Sequence, residues 1–172
     1  MARFTHPAND GSGISAVLPF HGAFHSEVDQ SLPINTPGAM HFEVTDLSQG
    51  ITIANDTDGH PSLIRIENLG VYNIQFSAQL HNTGGGGSGS TVDIWLVHQG
   101  VPVPASNTKV EVPSNAPYVV AAWNFFVTAN TTPQDFQLFW RTSKSEIRIE
   151  HVDVNGVVPA VPSIILTVNQ VA

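Results

Sequence analysis

The chain has no cysteine, so no disulfide can staple it and no thiolate zinc site can form. It is also poor in charge: 12% of its residues are Asp, Glu, Lys or Arg, and the six Lys and Arg stand singly along 172 residues. With a formal net charge of -8 and no basic stripe, there is nothing to neutralise a phosphate backbone, and nucleic acid is not an expected partner. No apolar run is long enough to span a bilayer, so a membrane is not expected either. The first twenty residues, MARFTHPANDGSGISAVLPF, lack a continuous apolar core followed by a small-residue cleavage site, and synthesis in the cytoplasm is expected. Helical periodicity, internal repeats, Gly-X-Y runs and heptads are all missing. Stability has to come from packing, or from assembly, of something other than helices.

What is there is apolar and alternating. Hydrophobic residues make up 41% of the chain, enough at this length for one well-packed domain that buries roughly 70% of the surface its unfolded form exposes. Along Val71–Leu80, Tyr72, Ile74, Phe76, Ala78 and Leu80 are apolar, while Asn73, Gln75, Ser77 and Gln79 are polar. Period two over that length predicts a strand with one dry face. Thr91–His98 repeats the theme, and further strands are expected at Ala23–Val28, Met40–Thr45, Ile51–Ala54, Leu63–Glu67, Ala121–Thr128, Phe136–Arg141, Ile147–Val152 and Ile164–Val168. About ten short antiparallel strands without helices indicate an all-β sandwich or jelly roll. Residues 1–18 carry no strand signal and read as an extended arm, leaving 19–172 as the domain. Residues 101–118, with four prolines, cannot form a central strand.

The stretch HNTGGGGSGSTVDIWLVHQG, His81–Gly100, poses the phosphate-loop question directly. An anion-holding loop needs a helix behind it, because the helix N-terminus supplies the amides, and here the next element is β with no Lys after the glycines. The expectation is a long hairpin loop between two strands.

Other candidate chemistry is thin. His21 and His25 share a parity, but four residues of extended chain separate them by about 13 Å, too far for one ion. Asp56-Thr57-Asp58-Gly59 echoes the start of a calcium loop without the remaining oxygen ligands, which favours a plain Asx-type turn. Ser88 lacks the nucleophile-elbow context, and Glu146 and Glu150 merely flank one candidate strand. No catalytic residue, metal site or cofactor is expected, and the chain is not expected to be an enzyme.

Several strands carry apolar residues on both parities. Phe139 is extra beside Phe136, Leu138 and Trp140; Ile165 is extra beside Ile164, Leu166 and Val168; Trp95 and Phe126 add to them. A sheet whose outer face packs on copies of itself would account for this. Gly70-Val71-Tyr72-Asn73-Ile74-Gln75-Phe76 resembles the Gly-x-Tyr-x-aliphatic-x-aromatic signature of the third major strand in complement C1q/TNF-like jelly rolls. Asp93-Ile94-Trp95-Leu96, Ala122-Trp123-Asn124-Phe125 and Ser163–Val168 are similar to variants of that domain in bacteriophage particle proteins, and the match runs over roughly residues 20–171.

The resemblance implies ten strands in two sheets and a homotrimer. The sheet of the first, third, sixth and last strands would line the three-fold axis, bringing Phe139, Ile165, Gln137 and Thr167 to the subunit interface and leaving Trp95 and Phe126 in the other sheet. It further implies a virion structural protein on the outer capsid surface: a decoration or cement protein whose partners are itself and the major capsid protein. The arm, about 60 Å long if extended, would dock on the capsid through Arg3, Phe4, His6, Ile14 and Val17. The alternative is the receptor-binding head of a fibre, gripping host glycan or protein through loops 82–90 and 101–118. A cellular signalling ligand would need export and ranks third.

Overall fold

The computed structural model describes residues 19–84, 90–114 and 118–172. The docking-arm residues Arg3, Phe4, His6, Ile14 and Val17 lie outside them, as does Ser88. Among the described residues there is no helix, and fourteen strand segments form two antiparallel sheets. They are β1 (His21–Ser26), β2 (Gln30–Ser31), β3 (Gly38–Ala39), β4 (Val44–Gln49), β5 (Ile51–Asn55), β6 (Pro61–Ile66), β7 (Gly70–Asn82), β8 (Thr91–His98), β9 (Val101–Pro102), β10 (Thr108–Glu111), β11 (Val119–Ala129), β12 (Gln134–Thr142), β13 (Ile147–Ile149) and β14 (Ile164–Gln170). The excess over ten comes from short pairings such as β2, β3 and β9, each of two residues.

The first sheet runs β2-β13-β7-β14-β1-β4, with β11 paired to β7; the second runs β10-β8-β12-β6-β5, with β3 on β12 and β9 on β8. Consecutive strands repeatedly change sheet. Between β4 and β5 the change is made in one residue, Gly50, whose φ of 69° lies in the left-handed region that other side chains rarely adopt. The glycine-rich stretch is another such crossing, not a hairpin: β7 pairs with β11, β13 and β14, whereas β8 pairs with β9, β10 and β12. Residues 85–89 themselves lie outside the described segments.

The inward parities meet in one core. Tyr72, Ile74, Phe76, Ala78 and Leu80 of β7 face Val92, Ile94 and Leu96 of β8 and Phe136, Leu138 and Trp140 of β12 within a single buried cluster. Each large side chain so buried contributes roughly 1.5–3 kcal/mol relative to exposure. At the centre, Phe76 meets Trp123 edge-on at 4.7 Å and Phe125 in parallel at 6.4 Å.

The expected strand Met40–Thr45 is largely not one. β6 and β12 pair only through Ile64 and Phe136 and then part. The chain at 38–42 fills the split, with Met40 N–H donating to the Leu138 carbonyl and Phe42 N–H to that of Pro61, both at 2.8 Å. Met40 and Phe42 are therefore fully buried without belonging to a regular ladder. Likewise Ile147–Val152 is a strand only as far as Ile149.

Three groups bind protons less readily in the folded chain than outside it. His41 is lowered first by burial and then by His60, whose ring stacks on it at 4.6 Å; Glu43 and Asp56 offset this in part. In Asp56 burial favours the neutral acid, but hydrogen bonds from His60 N–H, the Ser62 hydroxyl and Asp58 N–H outweigh it. In Asp93 burial is likewise outweighed, by Arg141, Asn107 and Lys109.

A lowered pKa means that the unfolded chain takes up more protons, so the stabilisation is complete above the ordinary value and is lost as pH falls through the folded one. Urea denaturation should show stability falling once pH drops below the ordinary histidine value of 6.5, with a second fall below the ordinary carboxylate value of 3.8. His41→Gln should remove the first fall and leave the second. Trp140→Ala, at a site 1% exposed, should lower stability by about 3–5 kcal/mol in the same assay.

Candidate assembly face and outer cleft

Because β strands alternate, fixing the core side of the first sheet also fixes what its other side presents. From β11 that face carries Val120, Ala122, Asn124, Phe126 and Thr128; from β7, Asn73, Gln75, Ser77 and Gln79; from β14, Ile165, Thr167 and Asn169; from β1, His21, Ala23 and His25. The register assembles them into rows: Phe126–Asn73–Asn169–His21, then Asn124–Gln75–Thr167–Ala23, then Ala122–Ser77–Ile165–His25. None of these residues is Asp, Glu, Lys or Arg. Phe126 is 68% exposed, Val120 61% and Ile165 46%. Asn124 donates to Asn73 Oδ1 at 2.7 Å, joining two amides on neighbouring strands across this face.

Charge appears only where this face ends. On the β4 side, His25 Nδ1 lies 2.8 Å from Asp46 and His25 Nε2 3.5 Å from Glu27. On the β13 side, His81 contacts Glu150, and Arg148 bridges Glu150 at 2.8 Å and Asp29 at 3.2 Å. Tyr118 packs on the His81 ring at 4.8 Å, and its phenol is pushed up by burial and by its hydrogen bond to Glu150. A cavity of about 440 Å³ opens beside Phe126, between β11 and the 103–106 turn.

Of the four residues expected to share an interface, the structure brings two together. Ile165 and Thr167 lie on this face, but Gln137 and Phe139 belong to β12, whose partners are β6, β8 and β3 in the other sheet. Phe126, expected in that other sheet, stands instead on the face with Ile165, because β11 pairs along its full length with β7. Trp95 is in the second sheet, where its ring lies 5.9 Å from that of Phe139.

Gln137 and Phe139 line a cleft of about 790 Å³ on the far side of the second sheet. It forms where β6 and β12 part. Its walls are the chain at 28–32, the turn at 56–60 and the turn at Gln99–Gly100. Two hydrogen bonds of 3.0 Å join the Gln30 side chain to the N–H and carbonyl of His41, imitating a strand pair and pinning one wall. The other wall is closed by Asp56, which accepts from Asp58 N–H at 3.0 Å, His60 N–H at 2.9 Å and the Ser62 hydroxyl at 2.8 Å. Three of the about four acceptor positions of Asp56 are thus taken by its own turn and Ser62, as in an Asx-type turn. His21 and His25 do not converge: His21 Nδ1 is 2.9 Å from the Pro19 carbonyl, and His25 is held by Asp46. Among the described residues no group of three or more His, Asp or Glu is placed to hold a metal.

No family model matches the chain, and no curated protein matches it. Solved structures do. The crystal structure of murine APRIL at pH 8.5 is similar over 90% of this chain and 100% of that one, with a TM-score of 0.55 and 8% identity. Murine APRIL at pH 5.0 gives the same coverage and TM-score at 9% identity. At such identity the likeness speaks for architecture alone, and with the two antiparallel sheets described above it establishes an all-β, TNF-like jelly-roll fold.

Proposed function

We propose that the chain is a trimeric virion structural protein of a bacteriophage, a decoration or cement protein that stabilises a capsid lattice through its head and its N-terminal arm. The observation that carries the reading is the charge-free outer face of the first sheet. Exposed Phe126, Val120 and Ile165 stand there among uncharged polar side chains, so contact with another protein would desolvate no carboxylate, ammonium or guanidinium group on it. A TNF-like jelly roll turns this sheet toward a three-fold axis in the family the sequence resembles, and the phage assignment rests on the strand motifs quoted for that resemblance. Residues 1–18 supply the grip on the major capsid protein, adding contact area along a neighbouring subunit.

Mass measurement in solution should give three chains per particle. Ile165→Asp places three carboxylates on the apposed faces without partners and should yield monomers. Phe139→Asp, on the opposite sheet, should leave the trimer intact; a trimer that survives Ile165→Asp and dissociates with Phe139→Asp would reverse the assignment of the interface. Purified protein mixed with capsids lacking it should bind stoichiometrically and saturably. Deletion of residues 1–18 should abolish that binding while preserving a folded trimer, and full decoration by the truncated protein would sink the role of the arm.

A further inference from the structure

The cleft on the second sheet is built as a binding site, and nothing in the assembly reading uses it. Gln137 projects away from the core yet is only 9% exposed, and its Nε2 donates to the Ser62 hydroxyl at 2.8 Å. That hydroxyl donates in turn to Asp56. The relay fixes the amide plane and leaves Gln137 Oε1, with no hydrogen bond among the described residues, as an acceptor on the cleft floor. Beside it lies the half-buried ring of Phe139, held in place by Trp95.

The charges around the cleft decide the class of ligand. No Lys or Arg lines it, which disfavours an anion. Of its four carboxylates, Asp56 accepts three hydrogen bonds from its turn and Ser62, Asp135 is held by two bonds from Arg65 at 2.8 and 2.9 Å, and Asp29 is taken by Arg148 and the His151 N–H. Only Asp58 has a free carboxylate, and it is exposed. Strong binding of a cation would need more unspent negative charge than that. What remains is a fixed amide acceptor, one carboxylate acceptor, the stacked rings of His41 and His60 and the ring of Phe139, in a cleft large enough for a small organic ligand.

We propose that this cleft binds an uncharged saccharide. Its hydroxyls donate to Gln137 Oε1 and Asp58, and its C–H face lies on Phe139. The site stands on the sheet opposite the assembly face and does not depend on the capsid reading; the two can fail separately.

The test is titration of the full chain with glucose, galactose, mannose, N-acetylglucosamine, maltose and cellobiose, followed by amide chemical shifts. At least one sugar should give saturable shifts at the Gln137 side-chain amide and the Gly100 backbone amide. Phe139→Ala, a substitution outside the core, should weaken that sugar by about tenfold or more, and Asp58→Asn should weaken it to a lesser extent, with the spectrum elsewhere unchanged. Ile165→Asp should leave the affinity unaltered. Absence of shifts with every sugar at high millimolar concentration overturns the proposal. So does saturation of the same amides by choline or inorganic phosphate alone, or sugar binding indifferent to Phe139→Ala.

Discussion

The constraint on which the molecule rests is the alternation along the thirteen residues of β7, Gly70–Asn82. This strand takes partners on both edges, β11 on one and β14 and β13 on the other, so its parity sets theirs. Once Tyr72, Ile74, Phe76, Ala78 and Leu80 are committed to the core, the opposite parity of four strands must appear together on one surface. A one-residue slip would carry Phe76 away from Trp123 and Phe125 and present polar Gln75 and Ser77 to the core in its place. Packing at the centre of the sandwich and the chemistry of its outer face are therefore one choice, made once.

That choice was legible in the sequence; the partners of each strand were not. Periodicity reports how a strand divides its side chains between two faces, and it located the buried parities of Val71–Leu80, Phe136–Arg141 and Ile164–Val168. It carries no information on which sheet a strand joins. Phe139 and Ile165 look alike as extra apolar residues, and only pairing separates them: β12 lies beside β8, and β14 beside β7. The same blindness made the glycine stretch after His81 look like a hairpin, since two successive strands with a turn between them read alike whether they pair or pass to opposite sheets. The 38–42 segment was missed for a different reason. Its buried residues Met40 and Phe42 fill a split between strands rather than alternate along a ladder. The cleft depends on that split and on Gln30, Ser62 and Gln137 meeting from distant parts of the chain, for which no local pattern exists.

Low charge in the composition is also a matter of placement. Arg65, Lys109, Arg141 and Arg148 are all engaged in ion pairs, with Asp135, Asp93, Asp29 and Glu150. Partly exposed pairs of this kind are worth little individually, with a median of about 0–1 kcal/mol. Their positions matter more than their energies. Three of the four arginine and lysine side chains belong to strands of the second sheet, and the fourth stands on β13, outside the rows of the first sheet's face. A surface that is dehydrated against another protein pays heavily for each charge it retains without a partner, and far less for a neutral amide that can find one across the contact.

The two exposed faces thus differ in chemistry as well as in side. One is broad, uncharged and continuous across four strands. The other is concave, lined by carboxylates of which all but Asp58 are engaged by neighbours, and built on a gap between strands. Any occupant of the cleft lies across the core from the centre of the proposed subunit contact, and the link between them at the surface is Asp29, which lines the cleft and bridges Arg148 at the edge of the assembly face. Apart from that link, coupling would have to pass through the packed layer of Trp140, Leu138 and Phe136 against Tyr72, Ile74 and Phe76. Sites so separated behave additively, so assembly could display the cleft three times around an axis without altering its affinity for one ligand. The gain for a multivalent ligand would come from geometry alone.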